Sequence, residues 1–193
     1  MLLFLIRHST PVVDASQPSN VWKLSAAGMD RAAQLAEHLS GRGIQLIVSS
    51  TEVKAIQTAE MLADHLGVQT EATDGLHEHE RSYPRDFAAN QTEFKARIAG
   101  LFAEPDSLVF GDETAHQTSL RFEAALQRVI ARHPDKTLAV VAHGTVISLL
   151  VVRYNGLDGF AFWQSLGMPA CISLEIPGFK IIENWSPAKP HTP

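Results

Sequence analysis

Two histidines in this sequence stand at the carboxyl ends of apolar runs. His8 follows Leu-Leu-Phe-Leu-Ile-Arg at positions 2–7, and His143 follows Leu-Ala-Val-Val-Ala at positions 138–142. Unbroken apolar runs suit strands buried on both faces, and open parallel sheets bind ligands beyond the carboxyl ends of their strands. A neutral imidazole nitrogen can attack phosphorus, and the planar guanidinium of Arg7 matches phosphate oxygens. The two strand ends therefore indicate phosphoryl chemistry, although a strand that simply ends in solvated polar residues would look the same at His8.

Lys54 is a second cation in an informative position. Ser49, Ser50 and Thr51 follow a short apolar strand, and Lys54 then falls in the first turn of a predicted helix. The helix dipole already places positive charge there, so a cation is unfavourable unless an anion binds nearby. Two interpretations stay open: Lys54 binds a phosphate, or its side chain extends into water.

Composition restricts the class of protein. The 193 residues suffice for one well-buried domain, which we expect at 1–185, followed by a Pro-rich tail at 186–193. The net charge of -5 gives no reason to expect nucleic acid, so a bound anion must be held by a local cluster of cations. Cys171 is the only cysteine, which excludes an internal disulfide and favours a reducing compartment. The amino-terminal apolar run is too short for a signal sequence or a membrane span, so we expect the cytoplasm and no membrane partner.

Hydrophobic periodicity predicts alternating strands and helices. Strands are expected at 2–6, 46–48, 68–72 and 138–142, and helices at 26–39, 54–66, 92–102, 114–132 and 146–152. A closing pair of strands is expected at 171–176 and 180–183. The segments 7–24, 73–90 and 155–168 are expected to be loops that determine the choice of substrate.

Five blocks of this sequence, in order along most of the chain, together resemble the histidine phosphatase (phosphoglycerate mutase-like) superfamily. They are Leu-Ile-Arg7-His8, Leu24-Ser25-x-x-Gly28, Ser49-Ser50-x-x-x-Lys54-Ala55-x-Gln57-Thr58-Ala59, Gly111-Asp112-Glu113-Thr114 and Val141-Ala142-His143-Gly144. The resemblance implies an α/β fold, a three-layer α/β/α sandwich with a mostly parallel central sheet.

The same resemblance implies a metal-independent phosphomonoesterase without a cofactor. His8 would be the nucleophile that becomes phosphorylated, with His143 opposite it. The phosphate-binding residues would be Arg7, Lys54, His143, Ser9 and Gly144. The partner would be a small phosphorylated substrate, and the sequence leaves a homodimer open. A phosphatase is favoured over a phosphoglycerate mutase-type phosphotransferase because the chain is short and has no obvious large insertion to exclude water.

The leaving oxygen needs a proton, which the family takes from an acid in a Leu-x-Glu setting. Leu76-His77-Glu78 matches that setting, so Glu78 is the predicted proton donor. Glu80 is the competitor because it carries the same charge two residues away. The alternative is that either carboxylate only pairs with Arg81 or Arg85.

Two residues depart from the family pattern. Ser9 replaces the usual glycine, and its hydroxyl either approaches the phosphate or caps the loop. Lys54 replaces the usual second arginine and offers a point charge instead of a two-pronged donor. We therefore expect Lys54→Arg to raise turnover.

Further residues are candidate substrate contacts. Glu113 and Thr114 resemble a family block at a helix start, where they either contact the substrate or form a capping pair. Arg121, on the same helix, is expected to be a structural ion-pair partner. Three loop aromatics either line a specificity pocket or pack under the loops: Trp22, Tyr83 and Phe87.

Two rival functions come from other classes. His77 and His79 beside two glutamates would suit a metal-dependent hydrolase, because alternate residues of an extended segment share a face. The changes at Ser9 and Lys54 would also suit a low-activity member that only binds a phospholigand. Phosphatase activity in the presence of a chelator argues against the first rival, and trapping phosphate on His8 argues against the second.

Overall fold

A single six-stranded sheet organises the computed structural model, which describes residues 1–81 and 91–187. The strands in the described ranges are β1 (Leu2–Arg7), β2 (Leu46–Ser49), β3 (Gln69–Ala72), β4 (Leu138–Ala142), β5 (Ala170–Glu175) and β6 (Lys180–Trp185). Their order across the sheet is β3-β2-β4-β1-β5-β6. The first four of these run parallel, whereas β5 and β6 are antiparallel. The mostly parallel sheet and the closing pair of strands are therefore confirmed.

Helices cover both faces of this sheet. The described helices are α1 (Ala26–Leu39), α2 (Val53–Leu66), α3 (Gln91–Ala103), α4 (Ala115–Arg132), α5 (Gly144–Asn155) and α6 (Gly159–Ser165). Because successive side chains of a strand point to opposite faces, Leu3 and Leu5 of β1 pack with α4 and α5, and Phe4 and Ile6 pack with α1 and α2. The predicted three-layer α/β/α sandwich is confirmed.

The first loop is held tightly over the start of α1. Ser25 caps the helix by accepting the backbone N–H of Gly28 at 3.0 Å, as its position in the sequence predicts. A Cβ atom at Gly28 would lie 2.0 Å from the carbonyl oxygen of Thr10, so only glycine permits this approach. The loop therefore keeps the residues that follow β1 close to α1.

Two features differ from the predicted elements. The segment 155–168, expected to be a loop, contains α6, which begins after the Asp158 cap. The predicted loop 7–24 contains a short 3-10 helix, Ser19–Val21. Seven and three residues are too few to show a helical period, which explains why periodicity missed both. Across residues 1–81 and 91–187, every helix falls short of the length and apolarity that a bilayer span requires.

Candidate active site

His8 and His143 lie at the carboxyl ends of the adjacent strands β1 and β4. The backbone N–H of His8 donates to the carbonyl of Ala142 at 2.9 Å, which continues the parallel pairing. The ring centroids are 5.1 Å apart with an interplanar angle of 61°. His8 is 6% exposed and His143 is fully buried. The structure thus brings the two predicted histidines together.

The tautomer of His8 is set by its own loop. His8 Nδ1 lies 2.7 Å from the carbonyl oxygen of Ser9. A carbonyl oxygen only accepts, so Nδ1 carries the proton and the neutral ring keeps its lone pair on Nε2. Burial lowers the pKa of His8 well below its usual value, and the nearby His143 and Lys54 lower it further. His8 is therefore neutral at physiological pH, with Nε2 available as a nucleophile.

His143 is oriented by Ser50. Its Nε2 lies 2.8 Å from Ser50 Oγ and 3.4 Å from a carboxylate oxygen of Glu52. Ser50 Oγ also accepts the backbone N–H of Glu52, and when its own proton is donated to Nε2 the ring proton of His143 lies on Nδ1. That Nδ1 is buried and has no hydrogen-bond partner within the described ranges. Burial lowers the pKa of His143 well below its usual value, so this ring is also neutral.

Arg7 lies against the first residue of α5. Its Nη1 donates to the carbonyl of Leu166 at 2.7 Å, and its Nε is buried without a partner in the part of the chain that the structure describes. A Cβ atom at Gly144 would lie 3.0 Å from both Cζ and Nε of Arg7. Gly144 is therefore the residue that lets the guanidinium reach the site.

Lys54 does not extend into water, since only 4% of the residue is exposed. Its ammonium donates to Glu52 Oε2 at 2.5 Å and to the carbonyl of Ser19 at 2.7 Å. The Trp22 ring centroid is 5.9 Å from Lys54 Nζ, and the indole N–H donates to the Asp14 carbonyl at 2.9 Å. Trp22 thus lies beside Lys54 and is held there by its own loop.

Glu78 is an ionised carboxylate beside the histidine pair. It accepts the backbone N–H groups of His79 at 2.9 Å and of Thr145 at 3.1 Å, and Arg81 Nη2 lies 3.7 Å away. Burial raises the pKa of Glu78, but the positive charge of Arg81 and these donors outweigh it, and the pKa lies well below its usual value. The surroundings of Glu78 therefore do not favour the protonated form that a proton donor requires.

Arg121 holds the Glu78 loop in place. It donates to the backbone carbonyls of Gly75 and His77 at 3.0 Å and of Glu78 at 3.1 Å, and it pairs with Glu113 at 2.5 Å. Arg121 is thus the structural ion-pair partner that the sequence led us to expect.

Three other candidates have local partners. Glu113 accepts the backbone N–H of Glu80 at 3.0 Å in addition to its bonds with Arg121. Thr114 forms a capping box with Gln117, which supports the capping alternative for Thr114. The Glu80 side chain is half exposed and lies 2.9 Å from His77 Nε2. All three residues therefore have structural partners within the protein.

The Ser9 hydroxyl donates to the carbonyl of Gly28 at 2.6 Å, and the Ser9 backbone N–H donates to Thr58 Oγ1 at 3.1 Å. This geometry supports the loop-capping alternative for Ser9.

A cavity of about 210 Å³ adjoins Arg7. Its lining residues are Arg7, Lys95, Trp163, Gln164 and Leu166. The predicted residues Tyr83, Arg85 and Phe87 lie outside the described residues, as does most of the tail, 188–193.

His77 and His79, the candidate ligands of a metal-dependent hydrolase, have other partners. His77 faces Glu80, whereas His79 is buried and its Nε2 donates to the carbonyl of Glu113 at 2.9 Å. No group of three or more His, Cys, Asp or Glu side chains with metal-binding geometry occurs in residues 1–81 and 91–187.

The sequence patterns predict no role for three residues of the site: Ser50, Glu52 and Thr145. Glu52 stands two residues before Lys54 at the start of α2. An acidic residue so close to a lysine thought to bind an anion is a signal that could have identified it.

Comparisons with known proteins agree with this geometry. The sequence matches the family model described as histidine phosphatase superfamily (branch 1) over residues 3–176. It is 27% identical over 165 residues to a probable phosphoglycerate mutase, GpmB, of Proteus mirabilis (strain HI4320), covering 82% of this chain and 77% of that protein. It is 26% identical over 136 residues to an uncharacterized phosphatase, PhoE, of Bacillus subtilis (strain 168), covering 70% of this chain and 66% of that protein.

A solved structure shares the fold. A mutant phosphoserine phosphatase from Entamoeba histolytica in complex with phosphoserine superposes with a TM-score of 0.74 at 16% identity, over 95% of each chain. Strand order, the paired histidines and the family match over most of the sequence lead to one conclusion: this chain belongs to the histidine phosphatase superfamily.

Proposed function

We propose that the protein is a phosphatase that hydrolyses a phosphate monoester through a phosphohistidine intermediate on His8. The observation that carries the proposal is the 2.7 Å hydrogen bond from His8 Nδ1 to the Ser9 carbonyl. It places the ring proton on Nδ1 and leaves the Nε2 lone pair for phosphorus, so no separate base is needed. The buried, neutral state of His8 supports the same role.

In the first step, His8 Nε2 forms a bond to phosphorus while the bond from phosphorus to the ester oxygen breaks. Arg7 Nε and His143 Nδ1 are buried groups with no partner in the described ranges, and we assign both to the phosphoryl oxygens. Lys54 adds positive charge close to both imidazoles. Such fixed donors stabilise charge as it spreads over the transferring group, which is the main catalytic requirement of phosphoryl transfer.

The proton for the leaving oxygen must arrive with the substrate, because Glu78 is a carboxylate in the structure. A monoanionic ester carries one proton, and we propose that Glu78 passes this proton to the leaving oxygen. In the second step, water attacks phosphorus, the bond from phosphorus to His8 breaks, and Glu78 accepts a proton from the water. Glu78 thus remains the proposed proton donor, with Glu80 as its competitor.

A mutase-type phosphotransferase is the second candidate, favoured by the similarity to a probable phosphoglycerate mutase. In a mutase the phosphohistidine must wait for a second acceptor while water is excluded. A member that binds a phospholigand with little turnover is the third. A substrate with a labelled phosphoryl group distinguishes the three candidates. A phosphatase transfers the label to water, a mutase transfers it to a phosphoglycerate-like acceptor, and a phospholigand-binding member leaves it on the substrate.

A panel of phosphorylated metabolites, assayed with a chelator present, tests the proposal. We expect the wild type to release inorganic phosphate from at least one small ester and His8→Ala to release none. His65→Ala is the matched control, because it changes an exposed histidine in the last turn of α2. Equal rates in wild type and His8→Ala, or release that the chelator abolishes, would contradict the mechanism.

Two further expectations remain proposals. The lone cysteine, Cys171, is a buried free thiol, which is compatible with a reducing compartment, and we propose the cytoplasm. The second is a homodimer, which gel filtration tests by measuring the size of the protein in solution.

A further inference from the structure

Glu52 has no part in the reaction proposed above, yet its carboxylate lies inside the site with only 7% of the residue exposed. Oε2 lies 2.5 Å from Lys54 Nζ. Oε1 accepts the backbone N–H of Glu78 at 2.9 Å and lies 3.4 Å from His143 Nε2. A buried carboxylate must be paired and hydrogen-bonded to persist, and these contacts meet that need. What requires a reason is an anion in a pocket that receives another anion.

The contacts of Lys54 give part of the reason. An ammonium has three N–H donors, and two of them are taken by Glu52 and by the Ser19 carbonyl. The third donor has no hydrogen-bond partner among the described residues and is available to a phosphoryl oxygen. Glu52 therefore fixes the position of Lys54 and also offsets its charge.

The charges around the two imidazoles give the rest of the reason. Among the described side chains, three cations and two carboxylates surround the neutral rings, and a histidine and a glutamate pair with each other farther out at the surface. These groups are Arg7, Lys54 and Arg81, then Glu52 and Glu78, then His77 and Glu80. The Arg121–Glu113 pair behind the Glu78 loop adds no net charge, and Lys95, at the cavity beside Arg7, is exposed to solvent that screens its charge. The inner set carries one more positive than negative charge. A phosphate monoanion would neutralise it, whereas a dianion would leave the pocket negative.

We propose that Glu52 is a positioning residue that acts through Lys54 and adapts the site to the monoanion of the phosphate ester. The inference rests on the proposed function, since it takes the phosphoryl group to bind between the two histidines. Phosphate monoesters lose their second proton near a pKa of about 6, so both forms are present near neutral pH. The proton that makes the ester a monoanion is also the proton that Glu78 passes to the leaving oxygen. Selection of the monoanion therefore brings the missing proton into the site.

Binding of inorganic phosphate tests the inference without turnover. Titration calorimetry on wild type, Glu52→Gln and the matched control Glu60→Gln, an exposed carboxylate on the same helix, would span about pH 5 to about pH 9, across the second ionisation of inorganic phosphate. We expect wild type and control to lose about tenfold in affinity for phosphate as it becomes a dianion. An extra unit charge a few ångströms from the two carboxylates changes the affinity by on the order of this factor. Glu52→Gln should bind about tenfold more tightly than wild type at the high end of the range.

A double variant, Glu52→Gln/Lys54→Gln, provides a second test if Glu52→Gln does not fold, because it removes both charges of the buried pair. Its inner charge equals that of the wild type, so the preference for the monoanion should return. Lys54→Gln alone should bind phosphate more weakly than wild type at every pH. Equal affinity and equal pH dependence in wild type and Glu52→Gln would overturn the inference, as would a double variant without the wild-type preference.

The two proposals fail in different ways. If Glu52→Gln leaves phosphate binding unchanged while the wild type hydrolyses esters, the inference about Glu52 is wrong and the phosphatase proposal stands. If no ester is hydrolysed but the pH profile of phosphate binding changes as stated, the role of Glu52 is supported and the phosphatase proposal is wrong.

Discussion

The site consists of two regions that are held in place by different means. The histidine region, His8 with His143, is fixed by the backbone pairing of β1 with β4, including the 2.9 Å bond from His8 N–H to the Ala142 carbonyl. The carboxylate region, Glu52 with Glu78, comes from the start of α2 and from the loop after β3. It is fixed by side-chain contacts and ion pairs.

The difference predicts how each region responds to substitution. A change of side chain in or beside the histidine region should alter chemistry without moving the backbone, because the sheet holds the strand ends. The two carboxylates depend on each other, since Glu52 accepts the backbone N–H of Glu78. Changes in the carboxylate region should therefore alter several contacts at once.

Apart from His8→Ala, which should abolish turnover, the largest effect is expected at Arg7, the last residue of β1 and the neighbour of His8. A lysine at this position cannot both bind the Leu166 carbonyl and present a planar pair of donors to phosphate. Arg7→Lys should lower kcat by about 10²–10³-fold, the usual cost of losing one transition-state donor, with an unchanged circular dichroism spectrum. Arg42→Lys, which changes an exposed pair with Glu183, is the control. A kcat near that of the wild type would remove Arg7 from the phosphoryl site.

The next effect tests the carboxylate region. Glu78→Gln should slow alkyl phosphates by about 10²-fold, because their leaving oxygen needs a proton, and should slow aryl phosphates much less. Steady-state rates on a matched alkyl and aryl pair measure the difference. Glu80→Gln should have little effect, since Glu80 pairs with His77 at the surface. Equal losses on both esters would refute the proton-transfer role of Glu78.

The two regions should also differ in the pH dependence of stability. The pKa values of His8 and His143 lie below 6.5, mainly through burial, so the folded state binds fewer protons than the unfolded chain as the pH falls below that value. The free energy of unfolding should therefore fall with pH below 6.5, by up to about 1.4 kcal/mol per pH unit for each ring. The lowered pKa of Glu78 stabilises the fold above 4.5, and that contribution is lost only as the pH falls further.

Urea titrations at successive pH values measure the free energy of unfolding in both pH ranges. His143→Gln should reduce the slope below pH 6.5, and Glu78→Gln should reduce only the slope below pH 4.5. The same slope in all three proteins would show that these groups do not control the acid stability of the fold.

The smallest effect is expected at Lys54, which connects the two regions. A guanidinium can pair with Glu52 and still offer a second set of donors to the phosphoryl oxygens. Lys54→Arg should raise turnover about threefold, which corresponds to about 0.7 kcal/mol in the barrier. An unchanged or lower steady-state rate would contradict this expectation.

The histidine region could be predicted from the sequence, whereas the carboxylate region could be predicted only in part. An apolar run buried on both faces determines where a strand ends, so Arg7, His8 and His143 were placed without knowledge of the packing. Glu78 was identified from a resemblance. Glu52 was not, because its significance depends on the approach of the start of α2 to the loop after β3, a contact between segments that periodicity does not report.

The central claim is a covalent bond between phosphorus and His8. A rapid denaturing quench of the wild-type protein mixed with a labelled ester, followed by digestion and mass spectrometry, tests it most directly. We expect a phosphoryl group on the peptide that contains His8, formed within one turnover and absent from His8→Ala. Full release of phosphate with no labelled protein at any quench time, or a label on a residue other than His8, would contradict it.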